Sequence, residues 1–494
     1  MNNSQRTFAR NAGSLIVAQV ITWTISLILM IFVPRYLGAA NMGKLSLASS
    51  IWAILAILVT FGTDILLTKE IARNPEKTSE FVFSSMLVRS MMYLVGLGVV
   101  TVYVNIVQYP SDTIQVIYII GISIFINQIA GSFLAALQGL ERMEFFSISD
   151  VTAKAVTSFT IIALLLLGYG VKTIAYVYSL GALISLSIQF FGLRRLHPLS
   201  FRIRWSQVVW MFKAGFPYLM VSVFLVLYIQ VDIIILSLIL SEESIGWYGV
   251  ADTLFSTLLF IPTVFITALF PVLSRMFTDG SDKLIRLLQK SFDLLLLVSI
   301  PIGLGVLVVS GPFVVLLYGE DFANSGPILA VLGIVIILTY QNVLIGRYFI
   351  SIDRQNIWTV VMAVATLATI PLDLIFVPWC EARFGNGAIG GAISFVFTEG
   401  GMLIVGLLLL PRRTFGWQNV WVAARALLAG GVMAVVAWQL RHAFILIPIV
   451  AGGLTYLIMI LLLRVVPKED WTLLRSMGQS LLARFRKPKS ELPA

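Results

Sequence analysis

Fourteen continuous apolar stretches dominate this chain and fix what it can become. They run roughly over 11–33, 45–67, 81–105, 114–137, 151–168, 173–193, 214–240, 248–270, 292–317, 326–346, 357–378, 388–410, 421–440 and 444–464. Each is close to the about 20 residues that a helix needs to cross about 30 Å of hydrocarbon. The breaks are turn chemistry or charge, as at Pro34-Arg35, Asn74-Pro75-Glu76, Tyr109-Pro110-Ser111-Asp112, Arg194-Arg195, Glu242-Glu243 and Asp279-Gly280-Ser281. The runs do not alternate, which disfavours a β-barrel. Of the 494 residues 59% are hydrophobic and only 12% charged, and a soluble fold of that length has no interior large enough to hide them. The expected fold class is therefore an all-α polytopic membrane protein with about 14 transmembrane helices. The first stretch is too long, and lacks the small-residue site, for a cleaved signal peptide.

The net charge of +10 is informative through its placement. With the N-terminus in the cytoplasm, 28 of the 34 Lys and Arg residues fall in inner segments, five (Arg35, Lys44, Lys172, Arg383, Arg441) in outer ones, and Arg89 within a span. Cationic loops stay on the cytoplasmic side, so both termini are expected inside the plasma (inner) membrane. A missed helix would invert every downstream loop and erase the asymmetry. No nucleic-acid partner is implied.

The two halves echo each other. Gly43-Lys44-Leu45-Ser46 before the second span is matched 203 residues later by Gly246-Trp247-Tyr248-Gly249, and Leu140-Glu141-Arg142 after the fourth is matched 212 residues later by Ile352-Asp353-Arg354. Six spans separate the repeats, an even number, so both halves share one orientation. The expected layout is a six-helix bundle over 1–205, a second over 206–415, related by a pseudo-two-fold along the membrane normal, and two extra helices with a basic tail over 416–494. The basic linker Arg194 to Lys213 would join the halves.

Several chemistries are excluded. One cysteine, Cys380, and two histidines, His197 and His442, supply neither a disulfide nor a multi-histidine or cysteine-rich metal site. No Gly-x-x-x-x-Gly-Lys-Ser/Thr loop is present, and all loops are short. The first outer loop, Pro34 to Gly43, has no carboxylate, which argues against a membrane polymerase or glycosyltransferase. The expectation is a non-enzyme without cofactors.

Pro34-Arg35-Tyr36-Leu37-Gly38 followed by Gly43 and Ser46-Leu47-Ala48 resembles the turn after the first helix of polysaccharide flippases, in the multidrug/oligosaccharidyl-lipid/polysaccharide exporter superfamily. Gln138-Gly139-Leu140-Glu141-Arg142, Pro217 with Asp232, then Gly246, Tyr248 and Ala251, Leu317-Tyr318-Gly319 with Phe322, and Gly387-Ala388-Ile389-Gly390-Gly391-Ala392 with Glu399 are similar to later segments of that superfamily. The order and spacing of these motifs, from about 5 to 465, carry the resemblance. It implies two bundles around a central cavity that move lipid-linked sugars from the inner to the outer leaflet by alternating access. Its partners would be a polyprenyl-diphosphate oligosaccharide, membrane lipids, and the glycosyltransferases and polymerase of one pathway. Lipid II flippases carry several arginines in the first bundle, whereas here Arg89 is the only basic residue well inside an N-half span. A cation-coupled multidrug exporter of the same superfamily is the alternative.

Ionisable groups within spans cost about 2–3 kcal/mol each on insertion scales and face a cavity or a partner. Arg89 fits either a diphosphate contact or snorkelling to the inner interface. Lys154 is expected nearer that surface. Asp232 and Asp252 suit sugar hydroxyls or a coupling cation at the cavity mouth, or an ion pair with Arg35. Glu399, near mid-membrane, is a candidate for coupling together with Asp232, or for a hydrogen bond inside the second bundle. Asn127-Gln128 and Gln341-Asn342 are polar pairs in related places, suited to sugar hydroxyls or to helix–helix hydrogen bonds. Asp64, Asp293 and Asp373 are expected at span ends. Pro217, Pro262, Pro301 and Pro371 should kink or break their helices. A dianionic diphosphate leaving a negative cytoplasm would gain roughly 4–5 kcal/mol per 100 mV, so no ATPase is required.

Overall fold

The computed structural model describes residues 3–465 apart from 280, 412 and 413, with side chains from residue 18 onward except 221, 224, 225, 268, 271, 277–282, 412 and 413. The side chains of Arg6 and Arg10, together with Arg412, Arg413, the tail beyond 465 and the turn at Gly280, lie outside what is described. No strand occurs among those described. The helices are α1 (Asn3–Leu37), α2 (Ala39–Thr60), α3 (Thr63–Arg73), α4 (Thr78–Val107), α5 (Ser111–Gly139), α6 (Met143–Leu166), α7 (Val171–Leu196) and α8 (Trp205–Ser237). Then come α9 (Glu242–Leu258), α10 (Phe260–Asp279), α11 (Ser281–Tyr318), α12 (Ser325–Ser351), α13 (Gln355–Phe384), α14 (Ala388–Leu409), α15 (Trp417–Gln439) and α16 (Leu446–Leu462). Twelve helical segments are long and apolar enough to cross a bilayer by length and composition, and Val226–Ser237 and Leu446–Leu462 are shorter apolar helices. Together they coincide with the fourteen apolar stretches. The chain is a multi-pass, all-helical membrane protein.

Two spans are broken. Span two consists of α2 and α3, interrupted where Phe61 (φ 48°) and Gly62 (φ 67°) both turn left-handed. Gly62 is required there twice over, because its φ disfavours a side chain and a Cβ would meet the Gly215 carbonyl and Tyr218 Cβ at 2.6 Å. Thr63 closes the break by donating to the Thr60 carbonyl at 2.6 Å. Span eight breaks at Leu259, between α9 and α10, with Pro262 in the first turn of α10, where a missing N–H costs nothing. The other three flagged prolines sit inside continuous helices: Pro217 in α8, Pro301 in α11 and Pro371 in α13.

The contacts divide the chain into two units. The first comprises residues up to Thr257, Phe313–Leu332 and Gln355–Met402. Its interior is anchored by Trp52, which is fully buried, stacks on Tyr93 at 5.4 Å and donates its indole N–H to the Ile117 carbonyl at 2.7 Å. Gly121 of α5 lies flat against that indole, where a Cβ would overlap the ring. A second cluster gathers Leu67, Ile71, Val82, Val88, Ala136, Leu137, Leu193 and Met211 from α3, α4, α5, α7 and α8. The linker predicted over 194–213 is shorter than expected, because α7 runs to Leu196 and α8 begins at Trp205.

The second unit comprises Leu258–Pro312, Gly333–Arg354 and the residues from Leu403 on. Gly303 of α11 and Gly333 of α12 bring their backbones together, each pressing on the other's carbonyl. In lipid such small-residue approaches supply the packing that the hydrophobic effect supplies in water. Ile300, Ala426, Ala429, Met433 and Tyr456 join α11 to α15 and α16, and Tyr456 donates to the Leu297 carbonyl at 2.9 Å. Asp293, expected at a span end, accepts from the Asn419 amide at 2.9 Å.

Candidate functional site

Three polar sites in the first unit carry the residues with chemical potential. The first is a cavity of about 210 Å³ lined by α1, α2, α6, α7, α9 and the end of α11. Its walls are mostly apolar, with Leu29, Met30, Val33, Pro34, Met42, Leu45 and Val250. Its polar groups are Ser26, Lys154, Tyr178, Thr253 and Tyr318. The Ser26 and Thr253 hydroxyls donate to carbonyls one turn back in their own helices at 2.7 Å each. The Tyr318 hydroxyl is buried and has no hydrogen-bond partner among the described residues. An unsatisfied buried hydroxyl costs about 1–3 kcal/mol. Lys154 is the cavity's one cation, and Asp150, one turn earlier, interacts with it electrostatically.

Helix α6 starts earlier than the sequence suggests. Helix α6 begins at Met143, eight residues before the predicted start, so Lys154 lies 11 residues in, near the middle of the 24-residue helix. The polar segment Met143–Asp150 forms the first two turns and hides the helix start from a hydropathy reading.

The second site is a knot around Arg89 at the break in span two. Arg89 is 1% exposed; its Nε donates to Thr63 Oγ1 at 3.0 Å, Nη1 to the Gln128 carbonyl at 2.7 Å, and Nη2 pairs with Asp64. Gln128 also accepts from the Thr60 hydroxyl at 2.8 Å. The guanidinium therefore fastens α3, α4 and α5 across the break and does not snorkel. Asp64, predicted to be interfacial, is its counter-ion. Asn127 is exposed beside it.

The third site is acidic. Asp232 of α8, Asp252 of α9, Asp373 of α13 and Glu399 of α14 interact electrostatically as one group. Tyr248 donates to Asp232 at 3.2 Å, and Tyr228 donates to Glu399. Asp232 is 9% exposed and Glu399 1%. Asp373 was expected at a span end, yet it is fully buried 18 residues into the 30-residue α13, and neither of its oxygens has a partner within hydrogen-bond reach among the described residues. Ser394, whose hydroxyl donates to the Gly390 carbonyl at 3.1 Å, acts on it from α14. Neither Asp232 nor Asp252 pairs with Arg35 among the described residues; Arg35 is exposed and donates to the Leu316 carbonyl at 3.4 Å. No group of three or more acidic, histidine or cysteine side chains among the described residues is arranged to hold a metal ion.

Gln341 and Asn342 lie in the second unit, 1% and 3% exposed. Both amide atoms of Gln341 are buried without a hydrogen-bond partner among the described residues. Sequence reasoning missed Tyr178 and Tyr228 as site residues and placed Asp373 wrongly. Their only signal was an aromatic or acid inside an apolar run.

This architecture and these charges have known counterparts. Residues 8–277, more than half of the chain, match the family described as polysaccharide biosynthesis protein. The chain belongs to that family. A probable low-salt glycan biosynthesis flippase, Agl15, from Haloferax volcanii is 22% identical over 395 residues, covering 78% of this chain and 81% of the relative. The lipid II flippase MurJ in an inward closed conformation superposes with a TM-score of 0.68 at 17% identity, over 91% of this chain and 98% of its own. A eukaryotic MATE transporter, AtDTX14, gives 0.55 at 14% identity, over 85% and 98%. At such identities the structures establish the fold, which this polysaccharide biosynthesis protein shares with both flippases and MATE transporters.

Proposed function

We propose that this protein carries polyprenyl-diphosphate-linked oligosaccharide repeat units from the inner to the outer leaflet of the plasma membrane by alternating access, for surface polysaccharide assembly. The observation that carries this reading is the cavity with a single ammonium, Lys154, and an unpartnered phenol, Tyr318, set among apolar walls. A lone cation with hydroxyls suits a phosphate joined to sugar, since charge-assisted hydrogen bonds are strong in a low dielectric. Family membership and the named glycan flippase support the same reading. In it, the bundles 1–205 and 206–415 rock about the cavity, both termini face the cytoplasm, and the apolar helices α15 and α16 guide the polyprenyl tail, which stays in lipid. Arg35, Asn127, Gln128, Gln341 and Asn342 offer polar contacts along the path. Glycosyltransferases and a polymerase of one pathway would supply and consume the cargo.

The acidic group favours a second reading. Asp232, Asp252, Asp373 and Glu399 suit a coupling proton or cation, with Asp232 and Glu399 at its ends, and a cation-coupled multidrug exporter would use the same chemistry. The deciding experiment is reconstitution in liposomes with a fluorescent polyprenyl-diphosphate sugar and, separately, a cationic dye. Lys154-dependent movement of the sugar lipid supports the flippase; dye efflux without sugar-lipid movement overturns it.

A further inference from the structure

Helices α2 and α9 meet at a seam that repeats the internal symmetry of the chain. A Cβ on Gly43 would overlap the Glu242 carbonyl, and a Cβ on Gly246 would overlap the Ala39 carbonyl. On Gly249 a Cβ would collide with the Ser46 side chain. Ala39 and Glu242, Gly43 and Gly246, Ser46 and Gly249 are each 203 residues apart. The contact is therefore reciprocal: each position touches the partner of its own repeat mate, as it must where a local two-fold axis passes between the helices. The seam lies beside the Lys154 cavity, whose lining includes Met42 and Leu45 of α2 and Val250 and Thr253 of α9.

One departure from the symmetry sits on the seam. Lys44 pairs with Asp112 of α5 and, at 3.4 Å, with Glu242 of α9, while Thr113 donates to Glu242. Its repeat mate, Trp247, instead donates to the Asp321 carbonyl at 2.9 Å. Lys44 is only 11% exposed. Parting α9 from α2 is opposed because it takes Glu242 away from both the Lys44 ammonium and the Thr113 hydroxyl. The remaining acid, Asp112, belongs to the repeat of Lys44, whereas Glu242 belongs to the other.

We propose that Lys44, bridging Asp112 and Glu242 over the Gly43–Gly246 contact, is the charge lock that keeps the outer face of the cavity shut. Opening to that face separates α9 from α2, and Lys44 stays with Asp112 while Glu242 leaves. The lock rests on the two-sided cavity proposed above and not on the identity of the cargo.

The test reads access without any substrate. Thr253→Cys in a Cys380→Ala background puts a single thiol on the cavity wall, and a membrane-impermeant maleimide is added to the outer face of intact cells. Lys44→Met and Glu242→Gln should each speed labelling by roughly fivefold or more. The triple reversal Lys44→Glu, Asp112→Lys, Glu242→Lys should return it to the slow rate, which separates a lock from a folding defect. In the same background, Ser46→Cys with Gly249→Cys places two Cβ atoms about 3 Å apart, near enough to oxidise to a disulfide after a small shift. That disulfide should cancel the acceleration caused by Lys44→Met. Unchanged labelling in Lys44→Met, or undiminished labelling through the oxidised seam, overturns the lock; failure of sugar-lipid movement in liposomes would leave these readings intact.

Discussion

The Tyr228 hydroxyl donates to Glu399, so a phenol from the last third of α8 holds the one acid of α14. Two helices from different parts of the second half are thus fixed at the level of the acidic group. Glu399→Gln keeps an acceptor for Tyr228 and removes the titratable site. It should leave the apparent melting temperature in detergent within a few degrees while transport loses its dependence on the coupling-ion gradient. Glu399→Ala should lower stability by about 1–3 kcal/mol, because it strands the buried phenol. Thermal unfolding and liposome flux measured on both variants check this; full ion dependence in Glu399→Gln would remove Glu399 from coupling.

Lys154→Met should raise the concentration of sugar lipid needed for half-maximal movement by about 10- to 100-fold, the loss expected for a charged hydrogen bond of about 1.5–3 kcal/mol. Lys154→Arg should retain most of the affinity. Tyr318→Phe removes an unpartnered hydroxyl, so it should be neutral or stabilising in the empty protein and weaken cargo binding. A binding titration beside a melting curve separates the two effects.

Arg89→Met should cost about 1–3 kcal/mol, since Thr63 and the buried Gln128 carbonyl lose their donor, while Asp64, more than half exposed, is not stranded. Arg89→Met with Asp64→Asn should fold about as well as Arg89→Met alone. Normal flux in that double variant assigns Arg89 a purely structural role; a folded but inactive double variant assigns it a contact with the diphosphate.

Gly121→Ala should destabilise by about 1–3 kcal/mol through overpacking on Trp52. Trp52→Phe should relieve part of that cost despite losing the hydrogen bond to Ile117. A double-mutant cycle on melting temperature reads the coupling.

The drive can be separated from the path. Collapsing the membrane potential alone should slow a dianionic cargo substantially, since each charge contributes about 2.3 kcal/mol per 100 mV. Collapsing only the cation gradient should slow it to the extent that the acidic group couples.

The apolar helices were legible in the sequence because a bilayer demands long apolar runs, twelve of them long enough to cross it and two shorter. The depth of individual charges was not. Hydropathy marks where a helix is greasy, not where it starts, so the polar turns Met143–Asp150 concealed how far Lys154 lies inside α6. Asp373 was misplaced for the same reason, because α13 extends to Phe384 through an acid and a basic residue. The break in span two had a local signal in Gly62 followed by Thr63 and Asp64, a glycine with helix-starting residues inside an apolar run. Pro262 did mark the break in span eight, but three other prolines in continuous helices show that proline alone does not decide. Which acids and tyrosines share one group depends on contacts among distant helices, and periodicity does not encode that.

The Gly43–Gly246 contact is peptide against peptide, with no oily side chain between. When such surfaces part, what they uncover is carbonyl and amide, and water solvates both readily. Closure there rests on van der Waals contact between backbones and, in the lock proposed above, on charge, so the seam can swing without having to wet grease each time.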